Sequence, residues 1–459
     1  MALANIVSAN VIVAPAAVEA QPLDIAILPV TLTGPQDALW GPNLVREVTP
    51  SDYLDILADV GITDGETEYE FLQTAFGQIR QPRLYLLGKA ATPVAEVKNF
   101  DLGNAGAAAD GLYRLTLAGT NFDVNAVAQT RAQVVTSMIA LVGADPRFGA
   151  VNGGDAEQLD VTAAEAGVPF TAAGSAPIGE AWFIATTTPN VGPTTDLAAW
   201  EAERRDWYMV TVAQAVTQTL ADAYAQTAQS YPRDITVMVR TDSAGDPNAA
   251  TSTPGIANAL SAFSYSRLAI AHVPTATDFD HAAVIGYKMP TLPGSDTWGN
   301  KRMRGIDGEL WTVAQGANLI AGPYVYFDRI ESLGGALSQN VRVLDGTPLD
   351  VIRGADYLKA SIIAAVLTVL TRDPAPQFTR EGFGEIGAAI SSTLSEFVNT
   401  GFLAATKADG TPGFSVTIPP VPPPGDPDRI ARKATGFTFT AQVAGSIEIV
   451  ENIEGLLLQ

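Results

Sequence analysis

The 459-residue chain contains no cysteine and only two histidines, His272 and His281. The first absence excludes disulfides, thiol catalysis and cysteine-ligated zinc or iron–sulfur centres. The second leaves little material for histidine-rich metal sites or proton relays. Basic residues are scarce too: 27 Lys plus Arg face 49 Asp plus Glu, a formal net charge of −22. Nucleic acid needs a basic footprint that this chain lacks, and anionic membrane surfaces are disfavoured for the same reason. No apolar run approaches the roughly 18 residues that span a bilayer. No basic segment followed by an apolar stretch and cleavage site opens the sequence, so a soluble, unexported chain is expected. Hydrophobic residues make up 47% and charged residues 17%, with 41 Gly and 30 Pro, a balance that excludes disorder, coiled coil and collagen and predicts a loop-rich globular protein. The length predicts about three domains.

Ala2 to Val13 places Leu3, Val7, Val11 and Val13 on one parity, the mark of a half-buried strand, and Pro15 and Pro22 bracket an Ala-rich tether behind it. A strand over 23–32 precedes Thr49-Pro50-Ser51-Asp52, which reads as a helix start closed by Gly61. A helix over 68–79 and a strand over 84–87 complete that unit. Residues 99–182 are Gly/Ala-rich and read as a small inserted α+β domain, with a strand at 113–117 and a helix over 127–141. From Trp207 strands at 207–212, 235–240 and 268–273 alternate with helices at 213–229 and 256–263, the pattern of a parallel sheet with crossover helices. Two apolar helices follow, over 356–370 and up to about Phe402. The Pro-rich run 419–427 reads as a stiff spacer. Beyond it Phe437, Phe439 and Val443 share one parity, and so do Ile447, Ile449 and Ile453 after the Ala444-Gly445 turn, which predicts a terminal hairpin held away from the body.

Several clusters invite a chemical reading. Gly382-Phe383-Gly384-Glu385-Ile386-Gly387 fits G-x-G-x-x-G, but the preceding Asp373-Pro374-Ala375-Pro376-Gln377 is a broken loop where a dinucleotide site needs a buried strand. Asp278, Asp280 and His281 could ligate a divalent cation, but chance clustering among so many acids and a capped helix start with a solvated acid pair are the simpler account. Lys301, Arg302 and Arg304 form the one dense basic patch, either a solvated loop or a contact to an acidic surface of another copy. An enzyme would need polar groups at the C-terminal ends of the parallel strands, where Asp242 and His272 are the candidates. No metal and no cofactor is expected. The strand-periodic segments at both ends suggest strand exchange between copies, the alternative being pairing within one chain.

Taken together, the sequence resembles the contractile tail sheath proteins of long-tailed phages. The likeness rests on Val11-Ile12-Val13, Leu32-Thr33-Gly34, the helix from Tyr53 to Val60 and Arg83-Leu84-Tyr85-Leu86-Leu87-Gly88. It continues through Asp206-Trp207-Tyr208, Arg267 to His272, His281-Ala282-Ala283 and Pro293-Gly294-Ser295-Asp296-Thr297-Trp298 leading to Lys301 and Gly305, then the two late helices and the terminal hairpin. It implies an α/β and α+β multidomain chain with a sheath-type α/β core, terminal β-strand arms and a smaller inserted domain. The units are an N-terminal arm (1–22), a first core part (23–98), the insertion (99–182), an α/β domain (183–310), a helical part of the core (311–418) and a spacer with terminal hairpin (419–459). It also implies a homo-oligomer of stacked hexameric rings around a tail tube protein, bounded by baseplate and tail terminator proteins. Such a sheath is assembled in the host cytoplasm, resides in the virion and contracts without nucleotide hydrolysis. Leu3, Val7, Val11, Val13, Phe437, Phe439, Val443, Ile447, Ile449 and Ile453 would then be subunit contacts, with Lys301, Arg302 and Arg304. The sheath of a phage-like injection device such as a tailocin fits the same features. A surface-layer or adhesion protein would require export.

Overall fold

A computed structural model describes residues 23–248, 255–275, 277–330 and 335–445. The N-terminal third begins with β1 (Ala26–Thr31), α1 (Gly34–Trp40), β2 (Val45–Val48), α2 (Tyr53–Asp59), α3 (Thr67–Phe76) and β3 (Tyr85–Ala90). Both parities of β1 are apolar: Ala26, Leu28 and Val30 face one core, Ile25 and Ile27 the other. Such a strand belongs in the middle of a sheet covered on both sides.

The inserted unit follows as β4 (Val97–Asp101), β5 (Gly111–Leu117), β6 (Thr120–Ala126), α4 (Arg131–Gly143), β7 (Phe148–Asn152), β8 (Gln158–Ala163), β9 (Ala172–Ser175) and β10 (Phe183–Thr188). These strands form two antiparallel sheets of their own, ordered β10-β4-β8-β7 and β6-β5-β9. Their core of Phe100, Tyr113, Leu115, Met138, Leu159 and Trp182 is separate from the rest of the chain. Thr130 caps α4, its hydroxyl accepting from the Gln133 amide while Gln133 answers on the Thr130 amide.

The main sheet then resumes with α5 (Pro193–Glu203), β11 (Met209–Ala215), α6 (Gln218–Ser230), β12 (Thr236–Thr241), α7 (Ile256–Leu260), β13 (Leu268–His272), α8 (Asp280–Lys288), α9 (Val313–Ala321), β14 (Tyr324–Ile330) and β15 (Gly335–Gln339). Its order is β15-β14-β13-β12-β11-β1-β3-β2. The six strands from β14 to β3 are mutually parallel and the two edges, β15 and β2, are antiparallel. Helices α2, α3 and α8 cover one face, and α5, α6, α7 and α9 the other, giving three layers.

The division expected at 182/183 between a first core part and an α/β domain is therefore absent: β1 and β11 are hydrogen-bonded neighbours. The insertion, about ninety residues long, hides this by lengthening the stretch of chain between two adjacent strands. The expected boundary at 310/311 also shifts, because β14 and β15 extend the same sheet and the helical unit begins only with α10 (Leu349–Leu370). It continues with α11 (Arg380–Asn399), β16 (Phe414–Thr417), the short α12 (Pro427–Ile430) and β17 (Thr438–Ala441). The observed α/β and α+β multidomain architecture agrees with the fold class read from the sequence.

One close approach fixes how α3 and α8 cross. A Cβ on Gly286 would lie 2.3 Å from the Ala75 carbonyl oxygen, so only glycine lets the two backbones meet. Gly286→Ala should lower unfolding stability by about 2–3 kcal/mol in urea titration, whereas a loss under about 0.5 kcal/mol would mean that the helices part freely.

Candidate assembly site on the C-terminal helical unit

α10 and α11 pack as an antiparallel pair through Leu358, Ile362 and Val366 against Ile386, Ile390 and Leu394. Thr379 caps α11, its hydroxyl accepting from the Gly382 amide at 3.2 Å. The glycine motif is explained by packing. A Cβ at Gly382 would strike the Gln377 backbone, one at Gly387 would strike Ile418, and Gly384 faces open space. The segment before them is a loop, so no strand aims the helix end at a pyrophosphate.

On this helix pair lies the two-stranded sheet β16–β17, with Phe414 opposite Ala441 and Val416 opposite Phe439. Phe414, Val416, Phe437, Phe439, Ala441 and Val443 turn inward onto the helices. Ser415, Thr417, Thr438 and Thr440 turn outward to solvent, with the Ser415 and Thr440 hydroxyls 2.8 Å apart. The Gln442 amide donates to the Gly413 carbonyl and its carbonyl accepts from the Ala404 amide. Antiparallel alternation therefore aims the main-chain groups of Thr438, Thr440 and Gln442 at β16, and those of Phe437, Phe439, Ala441 and Val443 sideways, away from it. The same alternation turns the amides and carbonyls of Phe414 and Val416 to the opposite edge. Among the described residues neither set makes a backbone hydrogen bond of its own, although Val443 stands opposite Leu403 in an isolated antiparallel bridge flanked by the Ala404–Gln442 and Ala444–Phe402 bonds. A two-stranded sheet alone is marginal in water, and this one is held by its apolar face with two lateral edges open to further strands.

The expected hairpin between 437–443 and 447–453 thus has a different first pairing: β17 pairs with β16. It is not held away from the body. Thr417 pairs with Thr438, so the Pro-rich excursion between them leaves and returns at one place, and Asp426 caps α12 within it. The aromatic parity that marked β17 as a strand also supplies the face that docks it. Leu3, Val7, Val11, Val13, Ile447, Ile449 and Ile453 lie outside the described residues.

The basic loop lies elsewhere, beside β15. Lys301 Nζ is 2.6 Å from Asp296 Oδ1, and the buried Lys288 holds the other oxygen of the same carboxylate at 2.8 Å. Lys301 is therefore engaged within its own chain. Arg302 forms a bridge to Leu337 and lies against Gly335, while Gln78 brackets the Arg304 backbone through both its amide and its carbonyl. The side chains of Arg302 and Arg304 are exposed.

The acid pair and His281 do not converge. His281 Nε2 donates to the Val212 carbonyl at 3.1 Å, and its ring packs on Phe71 in the core. Burial, helped by Arg240, lowers its pKa to about 3, so it stays neutral. No group of three or more His, Cys, Asp or Glu able to hold a metal occurs among the described residues. His272 meets Asp246 at 3.1 Å rather than Asp242. Asp246 also accepts from the Thr241 and Tyr324 hydroxyls and from the Ile256 amide, and these bonds tie the start of α7 to the ends of β12 and β13 and to the start of β14. Its oxygens are committed to the fold.

The sequence reading missed a polar stripe on α10. Arg353, Asp356 and Lys359 stand at i, i+3 and i+6, one face of a helix. Asp356 accepts from the Tyr208 hydroxyl at 2.7 Å and pairs with Arg267, and Lys359 Nζ is 2.6 Å from Asp234. The charged positions in an otherwise apolar helix were the available signal.

No family model matches the chain, and no curated protein matches it. Among solved structures, a sheath tail protein from Desulfitobacterium hafniense is similar at 12% identity and a TM-score of 0.46, over 87% of this chain and 91% of that one. A sheath tail protein from Listeria innocua is similar at 11% identity and a TM-score of 0.45, over 92% and 95%. The sheath of an extracellular contractile injection system in its contracted state is similar at 14% identity and a TM-score of 0.38, over 58% and 75%.

Asp280, near Asp278 and Arg240, supplies a pH test. Burial first, then the neighbouring Asp278, pushes its pKa from 3.8 up to about 7. The folded state thus holds the proton more tightly than the unfolded one. Ionisation then costs nothing below the unfolded value, an increasing amount between the two values and a constant amount above the folded one. Asp280→Asn should therefore stabilise the protein by about 1–3 kcal/mol more at about pH 8 than at about pH 5 in urea titration; an equal effect at both would contradict this environment for Asp280.

Proposed function

We propose that this chain is the repeating structural subunit of a contractile tail sheath. The observation that carries the reading is the β16–β17 sheet, docked on α10–α11 with the sideways main-chain groups of both lateral edges making no backbone hydrogen bond among the described residues. Residues 2–13 have the parity of a strand able to add to such an edge, with Leu3, Val7, Val11 and Val13 on the face that would meet the helices. Residues 447–453 have the same character. Strand addition from one copy to the next is heterologous: donor and acceptor are different surfaces, so the arrangement closes into rings or continues as a helix. The sequence resemblance to sheath proteins supplies the class, and stacked hexameric rings around a tail tube are the assembly it implies.

The role follows from these links. A strand added between copies is held by a ladder of main-chain hydrogen bonds, and a shift of even one residue would turn its apolar parity outward. Linked copies can change their mutual angle while the ladder survives, so the lattice can shorten and widen as one body and drive an inner tube into a host envelope. The work comes from a metastable extended lattice, which makes the role structural rather than catalytic. Arg302 and Arg304, exposed on an acidic chain, are proposed as contacts to acidic surfaces of neighbouring copies. Lys301 contributes to that patch only through its pair with Asp296.

Negative-stain microscopy of the full chain should show striated tubes or rings of constant width. Deleting residues 2–13 should give a soluble, cooperatively folding monomer that forms neither. Tubes of normal width from the truncated chain would overturn strand exchange through that segment.

A further inference from the structure

The guanidinium of Arg353 is buried where three elements meet. Its Nε donates to the Leu23 carbonyl at 2.9 Å, Nη1 to the Lys288 carbonyl at 3.1 Å and Nη2 to the Met289 carbonyl at 2.7 Å. Lys288 and Met289 end α8, so the cation sits on carbonyls that lack partners within the helix, the Lys288 one being shared with the Thr291 amide and hydroxyl. Leu23 lies three positions before β1 and directly follows in sequence residues 1–22, the segment read as an arm. The Trp298 ring lies 5.9 Å from the guanidinium carbon and closes the remaining side. All three hydrogen-bond partners are backbone carbonyls, which a side-chain substitution elsewhere cannot remove.

The rest of the stripe continues along α10. Asp356 engages Tyr208 and Arg267, which directly precede β11 and β13, and Lys359 engages Asp234, which precedes β12. One helix face thus holds the N-terminal ends of four adjacent parallel strands, β1, β11, β12 and β13. Its other face packs on α11, which carries β16–β17.

We propose that Arg353 is a mechanical anchor, through which tension on the N-terminal segment enters α10 and reaches the strand-accepting sheet without crossing the inserted domain. The link between two copies is only as strong as the weakest joint along the line from donor strand to acceptor sheet. A peeled β1 would split β3 and β2 from the rest of the main sheet, because β1 lies between β11 and β3. Arg353 holds the residue at which that peeling must begin. A guanidinium is well shaped for such a joint, since its planar fork reaches three carbonyls at once where a lysine would reach fewer. The significance for a polymer rests on the function proposed above, but the anchoring is a property of the single chain.

The test is single-molecule pulling on the monomer, for which the absence of cysteine allows unique handles. Handles at S8C and T440C load the line from segment to hairpin; handles at N121C and F263C load the molecule without spanning Leu23 or α10. R353M should raise the unfolding rate along the first line by roughly 100-fold and along the second by less than about tenfold. R353K, which keeps the charge with fewer bonds, should fall between and serves as the test should the methionine variant not fold. Equal effects along both lines, or none along the first, would overturn the anchor. Because the measurement uses monomers, failure to form tubes would count against strand exchange and leave this result intact.

Discussion

Two charged side chains on α10, Arg353 and Asp356, have to find partners where water barely reaches, with the half-buried Lys359 beside them, and that requirement fixes the position of the helical unit. Arg353 is satisfied by backbone carbonyls, Asp356 by Tyr208 and Arg267, Lys359 by Asp234. Removing one partner of a buried ion pair typically costs about 3–5 kcal/mol, because the other charge is stranded, whereas the intact pair adds little net stability over an apolar packing. The stripe therefore acts on orientation. An apolar α10 could slide or rotate on the ends of the sheet, while a helix whose charges match four strand ends has one seat. The surface proposed to accept further strands inherits its direction from that seat.

The acidity of the chain bears on how copies meet. With a net charge of −22, two copies repel wherever their surfaces carry ordinary acidic composition. The outward face of β16–β17 carries Ser415, Thr417, Thr438 and Thr440 and no ionised group, and its edges offer main-chain hydrogen bonds that are indifferent to net charge. The proposed strand addition there would join acidic molecules at a neutral seam. In the proposed assembly the exposed Arg302 and Arg304 would then set register without having to overcome the whole field.

Much of the main sheet was legible in the sequence because parallel strands buried on both faces read as short apolar runs, as in 235–240 and 268–273. The two late helices, α10 and α11, were readable from periodicity. Three things were not. The adjacency of β1 and β11 is invisible locally, since hydrogen-bond partners so distant in sequence leave no periodic trace. The pairing of β17 with β16 was missed because Phe414–Thr417 is only four residues long and its alternation is short. The polar stripe was missed because Arg353, Asp356 and Lys359 look like ordinary solvated positions until the strand ends they meet are known. The clusters that suggested chemistry dissolve for definite reasons: His281 faces a carbonyl in an aromatic core, and the glycine motif accommodates Gln377 and Ile418.

Strand donation between copies is the claim on which the functional account stands, and covalent trapping addresses it directly. In the parity proposed for residues 2–13, Ser8 turns outward with Ser415 and Thr440. Two double variants, S8C with S415C and S8C with T440C, place one reporter beside each edge of the sheet, in a chain with no other thiol. Treated with a short bis-maleimide under assembly conditions and resolved on a denaturing gel, at least one of them should yield a ladder of covalently linked multimers. Monomer alone, whether unlinked or closed on itself, from both variants in samples that still form tubes would contradict the account.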